Sequence, residues 1–426
     1  MGGEWDSVPL DDLVEDILDR RGVTPLKLGS DFTSHGHRVI SAKLIKEARV
    51  DLSADNPRFV DEETYSKWMW TPLLADDVIL TSEAPLGQVA YIDRSLDWCL
   101  GQRLFCIRTK KKRLNGRYLY YALQSERVTH DLQSRATGTT AQGIRQTELR
   151  RVKIPLPTLP EQRAIAHILG TLDDKIELNR RMSETLEAMA RALFQSWFVD
   201  FDPVRAKMEG RWRKGESPPG LPAHLYDLFP DSFEESELGE IPRGWRTEKL
   251  GDLLELAYGK ALKAGHRADG DIPVYGSNGQ VGWHSERLAP GPGIIVGRKG
   301  NPGVVTWAPT NFFAIDTTFY VIQKDARGSL HFLFHALRDK NLASLGADSA
   351  VPGLNRNIVY MSDQLLPPVD LIEVFDQIAT SLSNRAHRAN AETRALSGLR
   401  DTVLPKLISG DLRIMDTEQQ LKGQVP

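Results

Sequence analysis

The sequence predicts an α+β fold: two similar α/β domains separated by two long helices that form an antiparallel coiled coil. Two observations predict it. Segments from the first half of the chain recur in the same order in the second half, and each set of repeated segments is followed by an amphipathic stretch of roughly 40 residues. Each half of the chain is therefore expected to contain one α/β domain and one long helix.

Composition is typical of a soluble globular protein with two or three domains. Of the 426 residues, 41% are hydrophobic and 26% charged, and no uncharged apolar run reaches the ~18 residues that a membrane span needs. The acidic start lacks a signal-peptide pattern. Cys99 and Cys106 are the only cysteines, which excludes a disulfide framework and a four-cysteine zinc site. We therefore expect a cytoplasmic protein.

Net charge gives no direct sign of a nucleic-acid ligand. The formal charge is −3 and the pI is about 6.4. Phosphate contacts need only a local basic face, however, and acidic stretches can mask basic ones such as KKKR at 110–113. The whole-chain charge therefore excludes no ligand class.

The repeated segments are visible at matched tryptophans and glycines. WDSVPLDDLVE begins at Trp5 and WRTEKLGDLLE at Trp245, an offset of 240. DDVILTSEAPLGQVAY matches PGIIVGRKGNPGVVTW with Gly87 on Gly303, an offset of 216. Both of the latter stretches indicate a strand, a polar loop, a glycine and a second strand.

The third match continues into the long helices. Gly143 aligns with Gly353 at an offset of 210, and the same offset relates the apolar positions of the two amphipathic stretches. Because chance patterns drift in register, the shared offset indicates duplication. The falling offsets indicate about 24 extra residues in the first copy, which we assign to 49–75.

The two long helices are predicted at 158–202 and 370–410. Thr158 with Glu161, and Asp370 with Glu373, are typical helix-start pairs, and Asp202-Pro203 and Ser409-Gly410 are stop signals. Steps of three and four between apolar residues suit coiled-coil packing. The residues expected to pack are Ile165, Ile168, Leu172, Ile176, Leu186 and Leu193 in the first helix, and Phe375, Ile378, Leu382, Leu396 and Val403 in the second.

Two arrangements of these helices are open. Each could pack on its own globular domain, or the two could pack on each other, antiparallel; the shared stripe favours the antiparallel pair. The remaining ranges follow: a first domain at 1–157, a Pro/Gly-rich connector at 203–244, a second domain at 245–369 and a tail at 411–426.

A duplicated module suits a ligand with two similar half-sites, and double-stranded DNA is such a ligand. Gly-rich loops let the backbone approach phosphates, and Arg and Asn can read base edges. In the first copy the candidate DNA-binding residues are His37, Arg38, Lys43, Thr81, Ser82, Gln142 and Arg145. In the second copy they are Lys260, Lys263, Ser277, Asn278, Arg298, Lys299, Asn355 and Arg356.

Catalytic and metal motifs are weak in this sequence. DNPRF at 55–59 resembles the Asp/Asn-Pro-Pro-aromatic motif of amino-methyltransferases, but Arg58 replaces the second proline. GRKGNPG lacks the Gly-Lys-Ser/Thr ending of a phosphate-binding loop. His35-Gly-His37 has no further ligands nearby for a metal. We expect a binding protein with no catalytic residues and no metal site.

Several segments resemble the specificity subunit of Type I restriction–modification enzymes. They are LPEQRAIAHIL, LEAMARALFQSWFVDFDPV, the linker RAKMEGRWRKGESPPGLPAHLYDLFPDSFEESELGEIPRGW, YGKALK, IPVYGSNGQVGWH, LGQRLFCIR and LPKLISGDLRI. The resemblance covers almost the whole chain. It departs from the family pattern at the second helix start, where PPVDLIEVFDQIA replaces the usual LPEQ.

The resemblance implies two target-recognition domains, each reading one half of a bipartite, asymmetric DNA sequence. It implies that the long helices act as spacer and docking surface for two methylation subunits, with restriction subunits completing the complex. S-adenosylmethionine, ATP and magnesium are then expected on the partner subunits and no cofactor on this chain. The alternatives are a coiled-coil interaction scaffold without DNA specificity and a single-chain DNA methyltransferase.

Overall fold

The computed structural model describes residues 5–52, 56–138, 142–324, 329–345 and 353–414. The chain divides into two compact units. Unit 1 comprises Met1–Glu177 with Thr393–Pro426, and unit 2 comprises Leu178–Glu392. Each unit therefore contains one α/β domain, part of the first long helix and part of the second.

The first α/β domain begins the chain and leads into the first long helix. Its strands are β1 (Ser7–Pro9), β2 (Val14–Asp19), β3 (His37–Ile40), β4 (Ile45–Lys46), β5 (Arg49–Val50), β6 (Phe59–Val60), β7 (Val78–Thr81), β8 (Val89–Tyr91), β9 (Cys99–Leu100), β10 (Leu104–Thr109) and β11 (Lys153–Pro155). Its helices are α1 (Glu62–Trp68), α2 (Gly116–Ala122), α3 (Glu126–Ser134), α4 (Gln146–Leu149) and the long α5 (Leu159–Phe198).

The second half of the chain opens with a short helix and a hairpin before its own α/β domain. Its helices are α6 (Asp202–Met208), α7 (Leu250–Leu253), α8 (Leu330–Asp339), α9 (Arg356–Met361) and the long α10 (Val369–Ser409). Its strands are β12 (Phe233–Ser236), β13 (Gly239–Pro242), β14 (Arg246–Lys249), β15 (Leu254–Tyr258), β16 (Ile272–Gly276), β17 (Gly279–His284), β18 (Gly293–Gly297), β19 (Val305–Ala308), β20 (Phe313–Ala314), β21 (Thr318–Gln323) and β22 (Asp363–Leu366).

Strand pairing confirms the predicted duplication. The sheet β2-β10-β7-β8 of unit 1 has its equivalent in β15-β21-β18-β19 of unit 2, and β6-β3-β9 has its equivalent in β17-β16-β20. The pair β1-β11, which closes the first domain, matches β14-β22. In both three-stranded sheets one neighbour of the central strand is antiparallel and the other parallel. Such agreement in order and direction requires the same chain topology twice.

The extra residues of the first domain lie on both sides of β6. Parallel pairing places Val39 and Val274 at equivalent positions, an offset of 235. Antiparallel pairing to the same two strands places Phe59 opposite Arg38 and Trp283 opposite Pro273. Phe59 and Trp283 are thus equivalent at an offset of 224, and the offset reaches 216 in the next matched loop. The insertion expected at 49–75 therefore consists of two pieces, one before β6 and one after it.

Strand β10 lies inside the sheet, between β2 and β7, and this position explains why its sequence, LFCIRT, is mostly apolar. Phe105 and Ile107 belong to one buried cluster, together with residues of α2, α5 and α10, whereas Leu104 and Cys106 belong to another with β3, β9 and α1. Successive side chains of a strand point to opposite faces. The sheet is covered on both faces, so both alternating sets are buried.

The long helices begin close to the predicted positions, but the first ends earlier. Thr158 donates from its backbone nitrogen and hydroxyl to the Glu161 carboxylate, at 3.4 and 2.9 Å. The helix ends at Phe198, and Asp202-Pro203, which we took as its stop, instead opens α6 with the proline in its first turn. Proline suits that position because its missing N–H would lack a helical partner there.

The two long helices pack against each other in antiparallel direction within each unit, as predicted. In unit 1, Ile165 and Leu169 of α5 share a buried cluster with Leu404 and Leu407 of α10. The charged pair Asp173–Arg400 lies on the same contact, at 2.9 Å. Residue numbers fall along α10 as they rise along α5, which defines the antiparallel pairing.

In unit 2 the same pairing continues through aromatic and amide side chains. The Asn179 amide donates to the Glu392 carboxylate at 2.8 Å. The Phe194 and Phe375 rings lie 5.8 Å apart, and Phe375 also contacts Trp197 and Phe198. Phe375 is fully buried. Aromatic pairs of this kind add to the stability that comes from apolar burial.

One predicted packing residue is wrong and two polar residues replace apolar ones in the stripe. Ile168 is 38% exposed, and its neighbour Leu169 is buried in its place. Asn179 is 0% exposed and Ser183 is 4% exposed, so both polar side chains are buried within the stripe. A helix of 3.6 residues per turn drifts against steps of three and four, so sequence periodicity locates the buried face only to about one residue.

The other predicted packing residues lie on the buried side of the helices. Ile165, Leu186 and Phe375 are buried. Leu193, Ile378 and Val403 are half-buried and pack against the cores of their own units. The four remaining positions are half-buried: Leu172, Ile176, Leu382 and Leu396.

Candidate nucleic-acid interface

Three loops of unit 2 meet at one end of the sheet β15-β21-β18-β19. Arg298 and Lys299 follow β18, and the Arg298 carbonyl accepts from the backbone nitrogen of Leu354 at 2.9 Å. Lys299 forms a β-bridge with Gly353, just before α9. Asn278, in the turn between β16 and β17, accepts a hydrogen bond from Asn301. Loops that lie far apart in sequence are thereby joined into one surface.

Close backbone contacts explain two glycines of this surface. A Cβ atom on Gly259 would lie 2.1 Å from the Ile315 carbonyl oxygen, and one on Gly303 would lie 2.3 Å from the Ala343 backbone nitrogen. Gly303 also has a φ of +83°, which side chains disfavour. The glycines are therefore needed to bring the loops together.

Two arginines stack on one tyrosine within these loops. The Arg298 guanidinium carbon lies 4.7 Å from the Tyr258 ring centre, and that of Arg356 lies 4.8 Å from the same centre. Arg298 also lies 5.7 Å from the ring of Phe319. Tyr258 is 48% exposed. We call Arg298, Arg356 and Tyr258 the arginine–tyrosine stack. It presents two cations to solvent.

Most of the predicted binding residues of unit 2 belong to this surface. Backbone bridges and the stack connect Lys260, Asn278, Arg298, Lys299 and Arg356, with Ser277 and Asn355 directly adjacent in sequence. Lys263 is exposed beside the turn Ala264–His266. Among the residues that the structure describes, none hydrogen-bonds to the Lys263 side chain or joins it to the stack. Whether these residues contact DNA stays a prediction.

The corresponding loops of unit 1 are built in the same way but present different side chains. Glu83 forms a β-bridge with Gly143, the counterpart of the Lys299–Gly353 bridge. The Ser82 backbone nitrogen donates to the Arg103 carbonyl at 2.8 Å, just as that of Arg298 donates to the Thr317 carbonyl at 2.9 Å. The matched offsets of 216 and 210 therefore identify structurally equivalent loops.

Burial excludes two of the predicted binding residues of unit 1. Thr81 and Ser82 are 0% and 1% exposed. The Thr81 hydroxyl donates to the Pro85 carbonyl and accepts from the Gln88 backbone nitrogen, so it shapes the loop. Our prediction that these side chains face a ligand is wrong, because they point into the loop. Gln142 and Arg145, across the bridge, are exposed.

The three remaining candidates of unit 1 lie on or beside β3. Arg38 has its guanidinium 5.6 Å from the ring of Phe59. Lys43 is exposed in the turn Ala42–Leu44, at the position that Asn278 has in unit 2 by the β3–β16 equivalence. His37 is only partly exposed, and both of its ring nitrogens are engaged, Nε2 with the Glu62 carboxylate at 2.8 Å and Nδ1 with the Asp97 carbonyl at 3.0 Å.

The His37 contacts predict a pH-dependent stability of unit 1. Burial lowers the pKa of His37, but the hydrogen bonds with Glu62 and Asp97 outweigh it, so the pKa lies above 6.5. A raised folded-state pKa gives a stabilisation that is present below 6.5 and lost as the pH rises through the folded-state value. Substitution of Glu62→Gln is therefore expected to lower the thermal midpoint most at about pH 5.5 and progressively less toward about pH 8.

The matched control for that experiment is Glu63→Gln. Glu63 lies next to Glu62 and pairs with Lys67 on the exposed side of α1. An equal loss of thermal midpoint for both variants at every pH would contradict the role assigned to the His37 contact.

No group of three or more His, Cys, Asp or Glu residues that could hold a metal ion occurs in the described ranges. Burial raises the pKa of Cys99 to about 12 and the pKa of Cys106 well above its ordinary value, so both thiols are poor nucleophiles. Burial, with the nearby Arg338, His331 and Arg191, lowers the pKa of His335 to about 3. These groups are therefore packing residues of the two cores.

Two residues important to the surface were not among the predicted ones. Tyr258 contacts both arginines of the stack in unit 2, and Arg21, after β2 in unit 1, places its guanidinium 4.3 Å from the ring of Phe105. Tyr258 stands at the start of the quoted YGKALK segment, and its place at the end of a strand could have indicated it. Nothing in the local sequence indicates Arg21, because Phe105 lies 84 residues further along the chain.

No helix among the described residues is both long enough and apolar enough to cross a membrane.

The family model of the Type I restriction modification DNA specificity domain matches residues 3–188 and 242–358. The chain is 24% identical over 367 residues to the Type I restriction enzyme MjaIX specificity subunit of Methanocaldococcus jannaschii, covering 79% of this chain and 78% of the relative. It is 26% identical over 394 residues to the HindI specificity subunit of Haemophilus influenzae, covering 76% and 84%.

A solved structure has the same fold. The crystal structure of the Type I restriction–modification system S subunit from M. genitalium superposes with a TM-score of 0.63 at 18% identity, covering 95% of this chain and 96% of that one. The family model matches both copies of the chain. The duplicated sheets and the antiparallel helix pair belong to the fold shared with the solved structure. This chain therefore belongs to the Type I restriction–modification DNA specificity family, as a sequence-recognition subunit without a catalytic role of its own.

Proposed function

We propose that this chain reads a bipartite, asymmetric DNA sequence, with one half read by each unit. The supporting observation is that equivalent loops on equivalent sheets carry different side chains. Glu83 of unit 1 and Lys299 of unit 2 occupy the same bridged position with opposite charge. A carboxylate accepts from cytosine, whereas cationic side chains donate to guanine or to phosphates, so the two loops are suited to different sequences.

In this proposal the chain acts in the cytoplasm with partners that supply all chemistry. Two methylation subunits bring S-adenosylmethionine and methylate adenine, and restriction subunits bring ATP-dependent activity with magnesium. The two long helices provide the docking surface and the spacer. The repeated topology supports a pair of methylation subunits, because each half of the chain contains one α/β domain and one long helix.

The proposal is tested by reconstituting the full chain with its methylation subunit and measuring binding to duplex DNA over a range of salt concentrations. We expect binding that weakens steeply with salt, and a cognate duplex bound about 10³-fold or more tightly than an unrelated one. Methylome sequencing of cells that express the two proteins supplies the cognate sequence. A methylation pattern without a two-part motif would contradict the proposal.

The two alternatives predict different results in the same assay. A coiled-coil scaffold without DNA specificity would show no sequence preference at any salt concentration. A single-chain methyltransferase would bind S-adenosylmethionine without a partner, which calorimetry on the isolated chain measures.

A further inference from the structure

Each unit places an arginine guanidinium over an equivalent phenylalanine, but the two arginines follow different strands. Strand register makes Phe105 and Phe319 equivalent, since each lies on the central strand opposite the last residue of β2 or β15. Arg21, two residues after β2, lies over Phe105 at 4.3 Å. Arg298, the first residue after β18, lies over Phe319 at 5.7 Å. A cation at this end of the sheet is thus common to both copies, although its source is not.

In unit 1 this cation is neutralised. Arg21 donates from Nε and Nη2 to the two carboxylate oxygens of Asp19 at 2.9 and 2.6 Å, and from Nη1 to the Ile144 carbonyl at 3.3 Å. The adjacent loop contains a second ion pair, between the Glu83 carboxylate and the Arg103 guanidinium at 3.1 Å. The local charge therefore balances, and most of the Arg21 donors are already used.

In unit 2 the two acidic residues of this site, Asp19 and Glu83 in unit 1, are replaced by a tyrosine and a lysine. Tyr258 occupies the strand position of Asp19, because each faces its phenylalanine across the sheet. Lys299 occupies the position of Glu83. Over the part of the chain that the structure describes, neither Arg298, Lys299 nor Arg356 has a carboxylate within 4.0 Å of its side chain. Two guanidiniums without a nearby carboxylate thus lie over one half-exposed ring, and Lys299 is the next residue after Arg298.

Such a group is suited to an anion with several acceptor oxygens. The planar guanidinium donors match a phosphate better than a single point charge does. The cation–π contacts with Tyr258 hold the two guanidiniums close to one ring despite their like charge. An anion that contacts both guanidiniums would offset their positive charge, and both arginines are only half-buried, so a ligand can reach them.

We propose that the arginine–tyrosine stack and Lys299 bind a phosphodiester of the DNA backbone. At this site unit 2 therefore contributes to the salt-dependent, sequence-independent part of the affinity, while the neutralised site of unit 1 contributes little to it. The inference rests on the proposed DNA-reading function and adds a division of labour between its two domains.

The test uses the full chain with its methylation subunit and a labelled duplex of arbitrary sequence, about 30 base pairs long, titrated at several salt concentrations. On B-DNA the logarithm of the binding constant falls against the logarithm of salt with a slope of about −0.9 per neutralised phosphate. Arg298→Ala and Arg356→Ala are each expected to make the slope shallower, and the double variant by about 1, the value for the loss of one neutralised phosphate. The loss should be the same for duplexes of different sequence.

Two further variants serve as matched comparisons. Arg243→Ala removes the same charge from an exposed position of unit 2 after β13 and should leave the slope unchanged. Asp19→Asn removes the carboxylate beside Arg21 and should make the slope steeper by up to about 1, because it recreates an uncompensated guanidinium in unit 1. Thermal unfolding confirms that each variant is folded. If the double variant is not, the exposed Lys299→Ala supplies the same measurement.

The outcomes separate the inference from the function on which it rests. A wild-type complex that does not bind duplex DNA at any salt concentration overturns both. A normal wild-type slope that persists in the folded double variant, or falls equally in Arg243→Ala, overturns the inference alone. So does a loss confined to one DNA sequence, because the arginines would then be reading bases.

Discussion

Insertion of one heptad within 172–186 of α5, together with a matched heptad within 382–396 of α10, is expected to lengthen the gap between the two DNA half-sequences while leaving each half unchanged. Seven helical residues add about 10 Å along the helix axis. Base pairs are stacked about 3.4 Å apart, so the gap should grow by up to about three base pairs. Methylome sequencing of cells that express the variant with its methylation subunit measures the gap.

A heptad inserted in α5 alone is the control for that experiment. It shifts one half of the stripe against its partner, so the packing of Ile165 with Leu404 and that of Phe194 with Phe375 cannot both keep their present register. We expect the single insertion to abolish methylation. Full methylation at the original gap by the double-insertion variant would show that the helices do not set the spacing.

Substitution of Phe375→Ala is expected to lower the free energy of unfolding of unit 2 by about 3–5 kcal/mol. The ring is fully buried and lies 5.2–6.3 Å from the rings of Phe194, Trp197, Phe198 and His335. Its removal leaves a cavity between the two long helices that the surrounding rigid rings cannot fill. Urea unfolding of the full chain measures the change.

Met189→Ala provides the matched control on the same helix pair. Met189 is 52% exposed on α5, and its truncation should change the free energy of unfolding by no more than about 0.5 kcal/mol. Phe375→Leu, which preserves most of the volume, should cost less than Phe375→Ala. Similar effects for Met189→Ala and Phe375→Ala would mean that the aromatic cluster does not stabilise the helix pair.

The duplication could be predicted from sequence because it depends on spacing alone. The offset of 216 at Gly87 and Gly303 and that of 210 at Gly143 and Gly353 were independent observations, and the β-bridges beside these glycines join the two in each unit. The long helices were predictable for a similar reason. Apolar residues that recur every three or four positions form a local pattern. The helix is predicted correctly even when one assigned position, such as Ile168, is off by one residue.

The binding surface was predictable only in part. Glycine-rich loops indicated the region that contains Arg298 and Arg356, but the ring that holds them, Tyr258, comes from a strand about 40 and 98 residues away in sequence. Thr81 and Ser82 looked equally suitable as polar loop residues, yet they point inward. A polar side chain in a loop can cap the backbone or face a ligand, and the surrounding hydrogen bonds select between these roles.

By itself the sequence determined the twofold chain topology, the two long helices and the loops that lie between matched strands, because each is written as a period or an offset along the chain. Only the tertiary structure decided that Asn179 is buried in the helix contact, and that Arg21 is neutralised by Asp19 while Arg298 is not. Those outcomes depend on strand register and on contacts between distant segments, which fix the direction and the neighbours of each side chain.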